Sequence, residues 1–222
     1  MSPLADRPVQ RSIRLLSGLV LFGMSLVLLV KAHLGVDPWT VLTQGLSKTT
    51  GLSLGEVTVG ISVVILVLWL PLRQRPGLGT VSNALLVGPV LDLGVAIIPT
   101  PDQLVTRVLF VVVAIPALAL ATGLYVGAGW GPGPRDGLMT GLAALGMPVF
   151  AARALIEVSV LVGGWFLGGT VGVATVAFAV TIGPLVGLAL RRLSLRPRET
   201  PDDSPDHQPV ADPTGGPSRT YP

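Results

Sequence analysis

Trp130–Leu142 reads WGPGPRDGLMTGL, and Leu34–Leu46 reads LGVDPWTVLTQGL. Shifted by 96 positions, Gly35 falls on Gly131, Pro38 on Pro134, Leu42 on Leu138, Gly45 on Gly141 and Leu46 on Leu142. Each stretch breaks an apolar region with glycine, proline and a charged residue. Irregular backbone at membrane depth is tolerated only where it is buried in protein or lines a cavity. The two stretches are therefore read as the paired working ends of a duplicated membrane protein.

The composition supports a membrane setting. Half of the residues are hydrophobic and 12% are charged, against about 25% charged in soluble domains. The mean hydropathy is +0.72. Several apolar runs reach the roughly 20 residues that span a bilayer. With no cysteine and two histidines, His33 and His207, the chain offers neither a disulfide nor a Cys- or His-based metal site. No metal and no cofactor are expected. The arginines sit at the ends of apolar runs, which is a topology signal, and no nucleic-acid partner is implied by the net charge of +3. Arg7, Arg11 and Arg14 precede the run Ile13–Val30, but Lys31 and His33 stand where a signal peptide would carry small residues. That run is read as an uncleaved first helix.

The runs place helices at Ile13–Lys31, Leu54–Leu70, Gly79–Ile98, Leu104–Val126, Val149–Leu167 and Val171–Leu190. Between the first two, Asp37 is the expected N-cap and Pro38 the first residue of a short helix ending near Gly51. Pro116 is expected to kink its helix. From Arg196 to Pro222 there are seven prolines and almost no large apolar residue, the composition of a disordered tail. The chain divides into an N-terminal tail (1–11), two membrane repeats (12–98 and 99–192) and the Pro-rich tail (193–222).

The duplication extends past the motif. At a shift of 95, Thr80, Val81, Ala84, Gly88, Pro89 and Leu93 match Thr175, Val176, Ala179, Gly183, Pro184 and Leu188. Orientation follows from parity. Pro38–Thr50 would be about 20 Å long as a helix, short of the roughly 30 Å hydrocarbon core. It is read as a re-entrant half-helix. The expectation is an all-α polytopic protein with six transmembrane helices, two short re-entrant half-helices and an inverted internal repeat. Both termini then share the side of Arg73, Arg75, Arg191 and Arg192, the cytoplasmic side by the positive-inside rule. Eight spans, with parallel repeats, are the alternative.

Charges at membrane depth cost at least a few kcal/mol, so they mark candidate sites. Arg135 and Asp136 lie in the second motif, where Trp39 and Thr40 occupy the matching places and Asp37 matches Gly133. Arg153 and Glu157 share one helix face. These four charged residues are expected to form one polar cluster, with Arg135 a bidentate partner of Asp136 or Glu157. A structural ion pair is the bland alternative for each pair. Asp92 beside the Gly88-Pro89 break, Asn83, and the half-helix residues Gln44, Trp39 and Asp37 complete the candidate substrate-binding set. Glu56 is read as complementing a helix dipole. Gly35, Pro38, Gly45, Gly88, Pro89, Gly131, Pro134, Gly141, Gly183 and Pro184 are read as structural. No P-loop, GxSxG or His-rich metal motif appears, and no catalytic residue is assigned; the chain is not expected to be an enzyme.

The run LGVDPWTVLTQGLSKTTGLSLG (Leu34–Gly55), the segment LWLPLRQRPGLGT (Leu68–Thr80) and GPGPRDGLMTGL (Gly131–Leu142) together resemble the YczE/YyaS/YitT-like integral membrane proteins, within them the YczE group. The resemblance covers about residues 11–192. It implies a multi-pass protein of the bacterial inner membrane whose activity is largely unassigned, and it carries over no site residue. The residues themselves favour a secondary carrier of a small molecule, an anion among the candidates, on the strength of the repeat, the broken helices and the intramembrane charges. The alternative is a non-transporting membrane accessory or regulatory protein. The partners considered are the lipid bilayer, a small-molecule substrate and a second copy in a homodimer.

Overall fold

The computed structural model describes residues 7–195. The expected tail from Arg196 lies outside them. Eight helices and no strand occur among the described residues: α1 (Pro8–Ala32), α2 (Pro38–Thr50), α3 (Leu54–Trp69), α4 (Leu78–Ile97), α5 (Leu104–Gly127), α6 (Pro134–Ala144), α7 (Val149–Phe166) and α8 (Val173–Leu193). Five of them, α1, α4, α5, α7 and α8, are long and apolar enough to cross a bilayer. The bent pair α2–α3, whose axes differ by 113°, supplies a sixth candidate span. The protein is an all-α polytopic membrane protein.

Local chemistry sets the ends. Proline opens α1, α2 and α6 at the first turn, where its missing N–H costs nothing. Asp37 caps α2 through the amide of Thr40 at 3.2 Å. Ser53 and Glu56 form a reciprocal capping box on α3, so Glu56 does serve that helix start. α1 starts five residues before Ile13, because Pro8 at its N1 position begins the helix within the polar flank. α8 runs three residues beyond Leu190, with Arg191 and Arg192 in its last turn, where cations suit the helix dipole.

Contacts settle the direction of each helix. Arg14 donates to the carbonyl of Leu193 at 2.6 Å and Arg11 to that of Ala128 at 2.5 Å. The amide of Gly79 donates to the carbonyl of Trp130 at 2.7 Å. The starts of α1 and α4 thus share one end of the bundle with the ends of α5 and α8, and that end carries most of the arginines. At the other end the amide of Ala174 donates to Leu34 at 2.9 Å, and Lys48 reaches the carbonyl of Gly168 at 2.5 Å. With α3 counted, its Trp69 lying at Pro134, the six candidate spans therefore alternate in direction along the chain.

Two packed groups result. α1, α4, α5 and α8 form the larger, built on Leu19, Leu26, Val27, Leu29, Leu91 and Leu118. α2, α3, α6 and α7 form the smaller, around Trp39, Ile65, Trp69, Met139 and Ile156. The outward faces are apolar: Leu85, Leu93, Val112, Val113, Phe150, Phe166 and Val180 are all exposed, as lipid contact requires.

A charged centre between the two half-helices

α2 has 13 residues and α6 has 11, about 20 Å and 17 Å at 1.5 Å per residue. Neither is long enough to cross a bilayer core. Their N-terminal turns are buried, with Asp37, Pro38, Gly133 and Pro134 all inside the protein. Gly35 at φ +105° and Gly131 at φ +114° make the sharp turns ahead of them, a backbone that side chains with a Cβ rarely adopt. Trp69 then clamps the second half-helix. Its indole Nε1 donates to the carbonyl of Pro134 at 3.1 Å, and its ring fills the space where a Cβ on Gly137 would go. Thr80 donates to the carbonyl of Pro132 at 2.7 Å.

This scaffold brings the two N-termini together. A guanidinium nitrogen of Arg135 lies 3.5 Å from Oδ1 of Asp37, with side chains 20% and 3% exposed. The guanidinium also sits over the indole of Trp39, 5.1 Å from the ring centroid, a cation–π geometry. Beside it, Tyr125 donates to Oδ2 of Asp136 at 3.1 Å. Two carboxylates face one guanidinium, while each converging helix N-terminus contributes about half a positive charge. The centre is close to neutral.

It is also under-bonded. Among the described residues Arg135 makes no hydrogen bond that meets ordinary geometry, although it carries five donors. Oδ2 of Asp37, Nε1 of Trp39 and the hydroxyl of Thr43 are buried without a partner among those residues. Such atoms cost about 1–3 kcal/mol each, and three of them on the first turns of one short helix call for an explanation.

The other candidates fall elsewhere. Arg153 and Glu157 satisfy each other along α7 at 2.9 Å. The expected four-residue cluster is therefore corrected in its pairing: Arg135 pairs with Asp37 of the first motif and Arg153 with Glu157 one turn on, while the charge of Arg153 still bears on Asp136 at the centre. A pair four residues apart on one helix is already within reach before tertiary contacts form. Asp92 accepts from Gly55 N–H at 2.7 Å and from the Ser53 hydroxyl at 2.5 Å; it holds the start of α3. Gln44 accepts from the amide of Thr170 at 2.9 Å, tying α2 to the loop before α8. Asn83 is half-buried on α4. Gly45 packs on Gly164 of α7, Gly141 on Leu72, and Gly88 on Gly55, whereas Gly183 has open space around it. Pro89 and Pro184 lie inside α4 and α8. Tyr125, Trp69 and Thr43 belong to the centre and were not singled out from the sequence, because each lies in an ordinary helical run with no local signal.

Comparison with known proteins covers nearly the whole described chain. The profile of a family of unknown function (DUF6198) matches residues 9–191. An uncharacterized protein of Haemophilus influenzae is 36% identical over 184 residues, 82% of this chain and 84% of that protein. The uncharacterized membrane protein YczE of Bacillus subtilis is 31% identical over 179 residues, 79% and 81% of the two chains. The uncharacterized protein YyaS of the same organism is 25% identical over 163 residues, 71% and 81%. No solved structure matches the chain.

Proposed function

Because the chain belongs to the DUF6198 family, whose relatives above carry no stated activity, we propose a function from the site itself: a secondary carrier for a small molecule with an anionic group. The observation that carries this is Arg135, half-buried between two opposed half-helix N-termini and held, among the described residues, by one loose 3.5 Å ion pair and a cation–π contact. Half-helices whose positive ends point at an anionic substrate group are the device of many secondary transporters. In this reading the substrate takes Arg135 from Asp37, which keeps its cap on Thr40.

An internal inverted duplication supports the reading. The contacts Leu34 to Ala174 and Trp130 to Gly79 exchange residues of the two halves at the sequence shifts of 96 and 95. Gly77 and Gly172 each donate an amide to the threonine three residues on, Thr80 and Thr175, at 3.2 Å. Trp39 and Arg135 occupy matching positions and touch each other, as equivalent residues can only near a two-fold axis. The proposed setting is the bacterial inner membrane with both termini cytoplasmic, and the role is not enzymatic.

The competing reading is a non-transporting accessory protein, favoured by the burial of Asp37 at 2% exposure. Reconstitution into liposomes with a panel of labelled organic and inorganic anions tests the choice. Saturable uptake that Arg135→Ala abolishes, with the variant still folded, is the expected result. No uptake of any anion by wild type, together with a destabilised Arg135→Ala, would put the accessory reading in its place.

A further inference from the structure

The charged centre does not stand alone. Trp39, which carries the guanidinium on its ring, also lines a groove of about 640 Å³. That volume lies within the range of small-molecule sites, about 300–1,000 Å³. α3 and α7 form its walls and are bridged beneath by α2 and α6. The lining is almost wholly apolar, with Leu46, Val57, Ile61, Ile65, Leu138 and Val160 along it. Leu138 is three residues after Arg135, so both lie on one face of α6. Val64 and Leu155, 60% and 54% exposed, stand at the outer edges, where the groove opens sideways to the bilayer.

A groove of this kind beside a neutral centre would be a place for lipid tails and nothing more. Two observations add a head group. Trp39, only 7% exposed, lines the groove with an indole N–H that has no acceptor among the described residues, and Arg135, stacked on its ring, has only the 3.5 Å ion pair to Asp37. What both can take is a further acceptor, not a donor. We infer, resting on the carrier reading above, that the ligand is a single-chain amphiphilic acid drawn from the bilayer, its carboxylate at Arg135 and Trp39 and its alkyl chain in the α3–α7 groove. A two-chain phospholipid does not match one groove with one cationic end. Substrate reaches the site laterally, between α3 and α7, and the tail supplies most of the binding through buried apolar area, while the ion pair with Arg135 sets orientation.

Gly60 gives a clean probe. It lines the groove, and a Cβ built there meets nothing within 4 Å. Gly60→Phe therefore fills the groove without touching backbone, and Gly60→Leu is the smaller control. The full chain in phosphatidylcholine nanodiscs would be titrated with a long-chain fatty acid brominated at mid-chain, and tryptophan quenching followed. The expected result is saturable quenching, lost in Trp39→Phe, weakened about tenfold or more by Gly60→Phe and abolished by Arg135→Gln. A brominated alkane without the carboxylate should partition without saturating. Equal saturable quenching by that alkane, or by a brominated phospholipid, overturns the inference, as does full binding in both Gly60 variants. Liposome uptake of short-chain anions without any binding of the fatty acid would leave the carrier reading standing and remove the tail. Unchanged fatty-acid binding in Arg135→Gln would remove the head-group assignment.

Discussion

Arg135 and Asp37 are 98 positions apart in the chain, at 135 and 37, and 3.5 Å apart in space. Their pairing is a residue-scale fact with two separable parts, since Asp37 both opposes the guanidinium and caps α2. Asparagine caps as well as aspartate does, so Asp37→Asn removes the charge alone. It should lower stability by about 3 kcal/mol, near the lower end for breaking a buried pair, and Asp37→Ala by about 1 kcal/mol more for the lost cap. Asp37→Asn combined with Arg135→Gln should recover part of that loss. Thermal unfolding in detergent measures all three, and a double variant no better than the sum of the singles would show that the two residues do not interact. Gly137 makes the second residue-scale prediction. Its Cβ would meet the Trp69 ring, so Gly137→Ala should cost about 1–3 kcal/mol by overpacking. Gly60→Ala, with free space around it, should be neutral or slightly stabilising by helix propensity.

Among the elements, the start of α3 is the joint that holds the first half-helix in place. Asp92 on α4 takes the Gly55 amide and the Ser53 hydroxyl, and α3 crosses α4 closely where Gly55 and Gly88 meet. The matching stretch of the second half has Gly187 in place of Asp92 at the shift of 95, and α7 and α8 do not pack closely. One half is latched and the other is not. Asp92→Ala should therefore loosen the α2–α3 bend, at about 1–3 kcal/mol for unsatisfied donors. Hydrogen exchange should rise at Leu52–Thr58 and stay unchanged at α7. Uniform exchange across both halves would refute the latch.

At the scale of the whole molecule, the alternation of helix directions makes a sidedness prediction. Gln74 follows α3 at the arginine-rich end, and Asp102 precedes α5 at the other. The chain has no cysteine, so single-cysteine reporters are unambiguous. A reporter at Asp102 should react with an impermeant thiol reagent added outside intact cells, and one at Gln74 only after the membrane is opened. The reverse pattern, with Gln74 reacting from outside and Asp102 only after the membrane is opened, would rule out six alternating spans and favour the eight-span arrangement.

Much of this was legible without coordinates, and for a local reason. Helix ends depend on proline, glycine and capping residues within a turn or so of the end, which is why Pro38–Thr50 and the cap at Asp37 could be placed from the chain alone. The six apolar runs and the too-short motif helices follow from length and hydropathy, which need no neighbours. Charge pairing is different. Reading along the chain grouped Arg135 with Arg153 and Glu157, which are near in sequence, yet those two had each other on one helix face. Arg135 was left to a partner that only folding could bring, across the meeting of the two motifs. A hint lay in the two motifs themselves, where Trp39 and Arg135 stand at matching positions at the shift of 96 and touch in the fold. The groove beside them had no signature at all. Its walls are ordinary lipid-compatible residues of α3 and α7, and whether such faces close on each other or stand apart is decided by the packing of α2 and α6 beneath them.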